Sequence, residues 1–205
     1  MNEIFLNCAH IATSSLVNGP GNRCVVWVQG CSRKCPGCFN PHTHAHTPVR
    51  LIDPVILGNR LIQLENITGL TISGGEPFEQ AQGCSKLART FRSTEKSIMV
   101  FTGCTLKELQ LSHNRHIQEF LAAIDILVAG PYIESLACTP TLWRASSNQI
   151  LHCLTDLGTR QVQQTTREPA DVQIRTDGAL ADISGFADEK DRRWFNEIVK
   201  ATTAI

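Results

Sequence analysis

Cys31-Ser32-Arg33-Lys34-Cys35-Pro36-Gly37-Cys38 is the stretch on which the reading of this chain turns. Three cysteines spaced four and three residues apart can bring their sulfurs to one soft metal centre, and Pro36-Gly37 supplies a tight turn between the last two. The loop offers three ligands, not four. A structural zinc ion closes with four protein ligands, whereas a [4Fe–4S] cube held by three thiolates keeps one iron open to a bidentate small molecule. Zinc stays open as a reading here, with His42, His44 or His46 as fourth ligand. A disulfide framework does not fit: nine cysteines is an odd number, and 205 residues is large for a stapled small domain.

Outward from the loop, residues 23–30 are a short β-branched and aromatic run that reads as a buried strand, so the cysteines hang from a strand's carboxyl end. Before it, residues 3–8 and 10–17 alternate loosely as two short strands, and 18–23 break the chain with two glycines around a proline. After the loop, 53–66 predicts a helix with Asp53 as N-cap and Pro54 at its first position. A strand over 69–73 then delivers Gly74-Gly75-Glu76-Pro77 to the same rim. Residues 79–91 read as helix, 97–101 as a strand ended by Thr102-Gly103, 106–123 as helix and 124–129 as a strand ended by Gly130-Pro131. Four strands alternating with helices predict an α/β sheet with right-handed crossovers. Ligands of such sheets collect at the carboxyl ends of the strands. The chain is short for a closed eight-unit barrel of around 250 residues, so the expected fold is an incomplete TIM-like βα barrel over residues 1–154. Residues 155–205 are expected to pack on it as a second unit: a polar linker to 170, a hairpin of 172–175 and 179–183 around Thr176-Asp177-Gly178, and an amphipathic helix over 188–201 carrying Trp194, Ile198 and Val199.

Lys plus Arg and Asp plus Glu number 19 each, giving zero net charge, and neither a nucleic acid nor a membrane is expected as a partner on that ground. Met1 to Cys8 has no basic region and no unbroken apolar run, and no stretch approaches the roughly 20 apolar residues of a membrane helix. Nine thiols, three of them poised for iron, point to a reducing, oxygen-poor cytoplasm.

The C-x3-C-x2-C loop, followed by Thr71-Ile72-Ser73-Gly74-Gly75-Glu76-Pro77, resembles the S-adenosylmethionine (SAM) radical enzymes, with their "GGE" element. Many of these have an aromatic residue before the third cysteine; here Gly37 stands there and Phe39 follows. Cys-Pro-Gly-Cys with an aromatic and Asn after it resembles one branch, the activating enzymes of the anaerobic ribonucleotide reductase. Gly19-Pro20-Gly21-Asn22-Arg23, Phe101-Thr102-Gly103, Ile126-Leu127-Val128 and Trp143-Arg144-Ala145-Ser146-Ser147-Asn148-Gln149 are similar to that branch's "GPGTR", "WTGY", "VLVDG" and "WRGSSNQ". Cys104, Ala129 and Ala145 depart from it, standing where an aromatic, an Asp and a Gly are common, and such activases tend to stop near the position of Leu154.

The resemblance implies one [4Fe–4S] cluster on Cys31, Cys35 and Cys38, with the amino and carboxylate groups of SAM on the fourth iron. One electron then breaks a carbon–sulfur bond, leaving methionine and a 5′-deoxyadenosyl radical that generates a glycyl radical on the reductase catalytic subunit. A flavodoxin- or ferredoxin-type protein is the implied electron donor. Around SAM, Gly74 and Gly75 are expected to let the backbone approach the methionine, and Glu76 to accept from its ammonium. Gly37 and Phe39 bracket Cys38 on the adenine side. Thr102 is either a hydrogen-bond partner of the ribose or carboxylate or a plain strand-end Thr. Arg33 and Lys34 either offset cluster charge or are solvated. Arg144 and Asn148 either meet the partner's glycine loop or anchor the last core strand. His42, His44 and His46 would share one face of an extended segment. Two alternatives remain: radical SAM modification of another substrate such as a ribosomal peptide, and a non-catalytic zinc or electron-transfer module.

Overall fold

The computed structural model describes residues 4–165, 172–176, 181–185 and Trp194. Its first strand, β1 (Leu6–Ser15), is continuous where two short strands were expected. Its pairing with β2 (Arg23–Val28) is antiparallel and slips between Cys8 and His10 and between Ala12 and Ser15. Such slips break the period-2 alternation, which is why one strand reads as two.

All six residues of β2 are buried. Burial on both faces marks a central strand of a parallel sheet. It pairs in parallel with β4 (Gly69–Gly74), β4 with β5 (Ser97–Thr102), and β5 with β6 (Ile126–Ala129). Two further strands, β3 (Leu51–Ile52) and β9 (Ile150–Cys153), extend the sheet to seven in the order β3-β1-β2-β4-β5-β6-β9. The four parallel strands are those expected; the antiparallel β1 and β9 flank them.

The helices that connect its parallel strands cover one face of this mixed α/β sheet. Val26, Val28, Leu70, Ile72, Ile98, Val100 and Leu127 pack there against Leu57 and Leu61 of α1 (Pro54–Leu61), Cys84, Leu87 and Ala88 of α2 (Ala81–Arg89), Phe91, and Phe120. Asp53 caps α1 as expected, accepting from Val55 N at 2.8 Å and Ile56 N at 2.9 Å. Instead of one helix over 106–123 there are two, α3 (Leu106–Gln110) and α4 (Arg115–Leu121), the latter containing Phe120. Asn114 Oδ1 caps α4 through His116 N, and Gln118 Nε2 ties both Leu109 O and Ser112 O, so local side-chain bonds win over continuation of the helix. The opposite face of the sheet presents Val25, Trp27, Met99, Ile126 and Val128, with Trp143 packed onto the last three.

Trp143 sits at φ 53° between β7 (Ala137–Thr141) and β8 (Arg144–Ser146), a hairpin outside the main sheet. Residues 155–170 were expected to be a linker; they contain α5 (Asp156–Gln163), capped by Thr155. β10 (Val172–Thr176) and β11 (Ala181–Gly185) pair antiparallel, where strands of 172–175 and 179–183 were expected, while Asp177-Gly178 and, apart from the exposed, helical Trp194, the 188–201 helix lie outside the described residues. Among the described residues no helix is long and apolar enough to cross a membrane.

Candidate functional site

The four parallel strands end together at Val28, Gly74, Thr102 and Ala129. A cavity of about 480 Å³ lies at those ends and on the face opposite those connecting helices, and all three loop cysteines line it together with Gly74, Gly75, Glu76 and Thr102. This is where a parallel α/β sheet collects ligands.

The cysteine loop is tied down from outside itself. Gly30 N donates to Thr43 O at 2.7 Å and Cys31 N to His44 O at 3.1 Å, so the segment after the loop folds back along its first cysteine. Ser32 N donates to Glu79 Oε1 at 2.8 Å, and His46 Nε2 lies 2.7 Å from Glu79 Oε2. The three histidines therefore do not share one face of an extended segment. Pro41–Thr43 is a 3-10 turn, His46 is engaged by Glu79, and His42 and His44 line the cavity. Lys34 at φ 47° and Gly37 at φ 67° turn the loop inward. The backbone N–H groups of Arg33 and Lys34 face the Cys31 sulfur, and Asn40 N donates to Cys38 Sγ at 3.4 Å. Burial pushes both thiols up, and these amides oppose it by favouring thiolate.

Glu76 is only 3% exposed. Its Oε1 accepts from Phe78 N at 3.0 Å and Thr102 Oγ1 at 2.8 Å; its Oε2 accepts from Gly103 N at 2.9 Å and lies 3.6 Å from Arg33 Nε. One carboxylate thus pins the end of β4 to the end of β5 and both to the cysteine loop. Burial pushes its carboxyl up, against those donors. Arg33, though exposed, is therefore held against Glu76, and its Nη2 also meets Cys104 Sγ at 3.1 Å. Lys34 is exposed. Gly74 and Gly75 are required by the chain's own close approach: a Cβ on Gly74 would lie 2.5 Å from Val28 N, and one on Gly75 2.2 Å from Gly30 O.

Phe39 lines the cavity with Tyr132, the rings meeting edge to face at 5.2 Å, and Gly37 packs on Glu134. Arg144 and Asn148 do not line it. Arg144 Nη1 donates to Gln149 O at 3.2 Å and Asn148 Nδ2 to Pro131 O at 2.8 Å, so both hold the strand-end segment in shape, the anchoring alternative raised above. Sequence reasoning missed His10, Trp27, Phe101 and Tyr132 as cavity residues. Alternation along β2 and β5 puts Trp27 and Phe101 on the face away from the helices, and that signal was available. Tyr132, in a loop, has none.

The donor set suits an iron–sulfur cube. Cys31, Cys35 and Cys38 are free thiols at one cavity, two of them facing backbone N–H groups. No three His, Cys, Asp or Glu side chains among the described residues converge on a single ion; a cube sets each thiolate on its own iron and does not require that convergence.

Residues 17–152 match a family described as "4Fe-4S single cluster domain", which defines the class. Among curated proteins the chain is 35% identical over 150 residues to the anaerobic ribonucleoside-triphosphate reductase-activating protein of Vibrio cholerae serotype O1, covering 68% of this chain and 93% of that one. The proteins of the same name from Escherichia coli K12 (32% over 147 residues, 68% and 93%) and from bacteriophage T4 (32% over 157 residues, 74% and 96%) are similar to it as well. The chain belongs to the family of anaerobic ribonucleoside-triphosphate reductase-activating proteins, and it is a radical SAM activase of the kind its motifs resemble.

Proposed function

We propose that this activase generates the glycyl radical of an anaerobic ribonucleotide reductase, using a single [4Fe–4S] cluster on Cys31, Cys35 and Cys38 and SAM on the iron they leave open. The observation that carries the reading is the meeting of those three cysteines with Gly74, Gly75, Glu76 and Thr102 at one cavity. When bound, the cluster and SAM supply reductive carbon–sulfur cleavage and hydrogen-atom abstraction at a carbon.

The chain's own residues do the rest. Backbone N–H groups of Arg33, Lys34 and Asn40 offset thiolate charge. With three hydrogen bonds in place, Glu76 Oε2 keeps one lone pair for an ammonium, and the Gly74-Gly75 backbone lies beside it. Thr102 acts through Glu76, to which its hydroxyl is committed. Gly37 and Phe39 sit on the adenine side. Phe39, Tyr132 and Trp143 wall the cavity and limit water. Arg144 and Asn148 bear on the reductase indirectly, by fixing the segment around Gly130 to Gln149.

The sheet is read as an incomplete barrel over residues 1–154, with 155–205 packed on it. A flavodoxin- or ferredoxin-type donor supplies the electron. The free thiols of the described residues suit a reducing cytoplasm. Anaerobic reconstitution with iron and sulfide, followed by electron paramagnetic resonance of the reduced cluster, tests the reading: SAM should perturb the spectrum, and Cys35→Ala should abolish cluster binding. Zinc bound in place of iron, or a cluster indifferent to SAM, would contradict it.

A further inference from the structure

The cavity has a roof and a floor. Val25, Thr71 and Met99 are neighbours in one row across β2, β4 and β5, and Trp27, Ser73 and Phe101 stand two residues further along on the same face. The first row is sealed: all three residues are fully buried, Thr71 Oγ1 donates to Asn18 O at 2.7 Å, and a Cβ on Gly19 would lie 2.6 Å from Met99 Sδ. The second row lines the cavity, and so does Asn18. The segment after β1 therefore floors the cavity on the side of the strands' amino ends, while the cysteines and Gly74-Gly75-Glu76, at the carboxyl ends, roof it.

Ser184 and Gly185 join that floor from beyond the matched family. The chain reaches it by way of the amino ends of the strands: Gln161 of α5 meets Ser97 Oγ and Thr68 O, and Gln173 Oε1 of β10 accepts from Leu16 N at 3.1 Å, two residues before Asn18. Gln173 stands opposite Ser184 in the hairpin, so the two side chains leave it on the same side, and the bond to Leu16 holds Ser184 beside the floor segment. The relatives described above are covered to 93% and 96% of their own length, which leaves no room in them for a counterpart of residues 155–205 as a whole. This part of the wall is this chain's own.

We infer that Ser184 and Gly185 form a specificity wall for the polypeptide segment that receives the radical, so that the β10–β11 hairpin sets how bulky a segment around the target glycine can enter. The inference rests on the function proposed above. With SAM at the roof beside the cysteines and Gly74-Gly75-Glu76, the space down to the floor is what a glycine-bearing segment enters, and the residues of the floor meet that segment rather than the cluster. Pocket walls discriminate by volume, and a side chain that intrudes on the space of the correct substrate lowers its rate. Gln173 is a positioning residue in this scheme, because it acts through Ser184.

The test compares wild type with Ser184→Trp, which fills space at the floor, and Gln173→Ala, which frees the hairpin from Leu16. Each is reconstituted anaerobically, assayed for iron and examined by electron paramagnetic resonance with and without SAM. Each is then incubated with SAM, a one-electron reductant and increasing amounts of the catalytic subunit of the anaerobic reductase. Both variants should hold the wild-type complement of iron, and SAM should still perturb their spectra. Ser184→Trp should form the glycyl radical more slowly by about tenfold or more, and Gln173→Ala should need more reductase to reach its half-maximal rate. Wild-type kinetics of radical formation in Ser184→Trp would overturn the inference, as would loss of the SAM perturbation in that variant, which would assign the hairpin to SAM instead. Should Ser184→Trp take up no iron, Ser184→Leu takes its place and is judged by the same readings. A wild-type protein that cleaves SAM but leaves no radical on the reductase would overturn the function proposed above, and this inference with it.

Discussion

Glu76 shows how much one buried side chain can be asked to do. Removing it by Glu76→Ala strands the Phe78 and Gly103 amides and the Thr102 hydroxyl and leaves Arg33 without its nearest anion. The expected loss is about 3 kcal/mol or more of apo-protein stability, read by urea unfolding. Gly75→Ala forces a Cβ to within 2.2 Å of Gly30 O, where only backbone can give way; a loss of roughly 2–3 kcal/mol and poorer iron uptake should accompany it. Glu79 supplies the pH dependence. Burial alone would raise its carboxyl, but the hydrogen bonds from His46 and Ser32 outweigh burial and hold it below its ordinary 4.5. A depressed folded value means stabilisation present above 4.5 and lost as pH falls through the lower folded value. Glu79→Gln should therefore destabilise the apo-protein by about 1 kcal/mol at pH 7, and the gap to wild type should close as the solution is acidified. Burial pushes the core thiols Cys8 and Cys24 up to about 12, so alkylation at pH 8 should leave both unlabelled while labelling the exposed Cys153, as read by mass spectrometry.

Among the elements, α5 is the one that sequence reasoning took for a linker. Its Gln161 Oε1 accepts from Ser97 Oγ and lies 3.5 Å from Arg23 Nη1, and its Nε2 reaches Thr68 O at 3.3 Å. Arg23 is completely buried, pulled down to about 10 by burial, and its guanidinium bonds Thr71 Oγ1, Pro20 O, Ser97 Oγ, Leu70 O and Ser97 O. Gln161→Ala should cost about 1 kcal/mol, read as a lower Tm, by weakening the closure of that end of the sheet. The four parallel strands were legible because burial on both faces leaves near-continuous apolar runs, and Asp53-Pro54 announced α1 through cap chemistry. α5 was not legible: among its eight residues Gly158 is the only buried one, Val162 is its one apolar contact in the Met99–Trp143 cluster, and its side-chain hydrogen bonds reach partners up to 138 positions away. At the site, the cysteine spacing and Gly74-Gly75-Glu76 could be read directly. That Gly75 faces Gly30 and that Glu76 is shared among Phe78, Thr102, Gly103 and Arg33 depends on the strand register, which no local pattern carries.

The molecule as a whole brings its strand ends together on one rim and stacks its crossover helices on one face and α5 on the other, and the cavity is built from the loops of β2, β4, β5 and β6 and walled by Trp143 and Tyr132. The matched family ends at residue 152, and α5 and the β10–β11 hairpin follow it, Ser184 and Gly185 lining the same cavity. The most direct measurement is to incubate the reconstituted protein anaerobically with SAM, a one-electron reductant and the catalytic subunit of an anaerobic ribonucleotide reductase, and to record the electron paramagnetic resonance spectrum. A glycyl radical on the reductase, formed together with 5′-deoxyadenosine and absent with Cys35→Ala, is the expected result. An intact cluster that cleaves SAM while leaving the cognate reductase without a radical would contradict the assigned substrate, and one that never cleaves SAM would contradict the reading of the three cysteines.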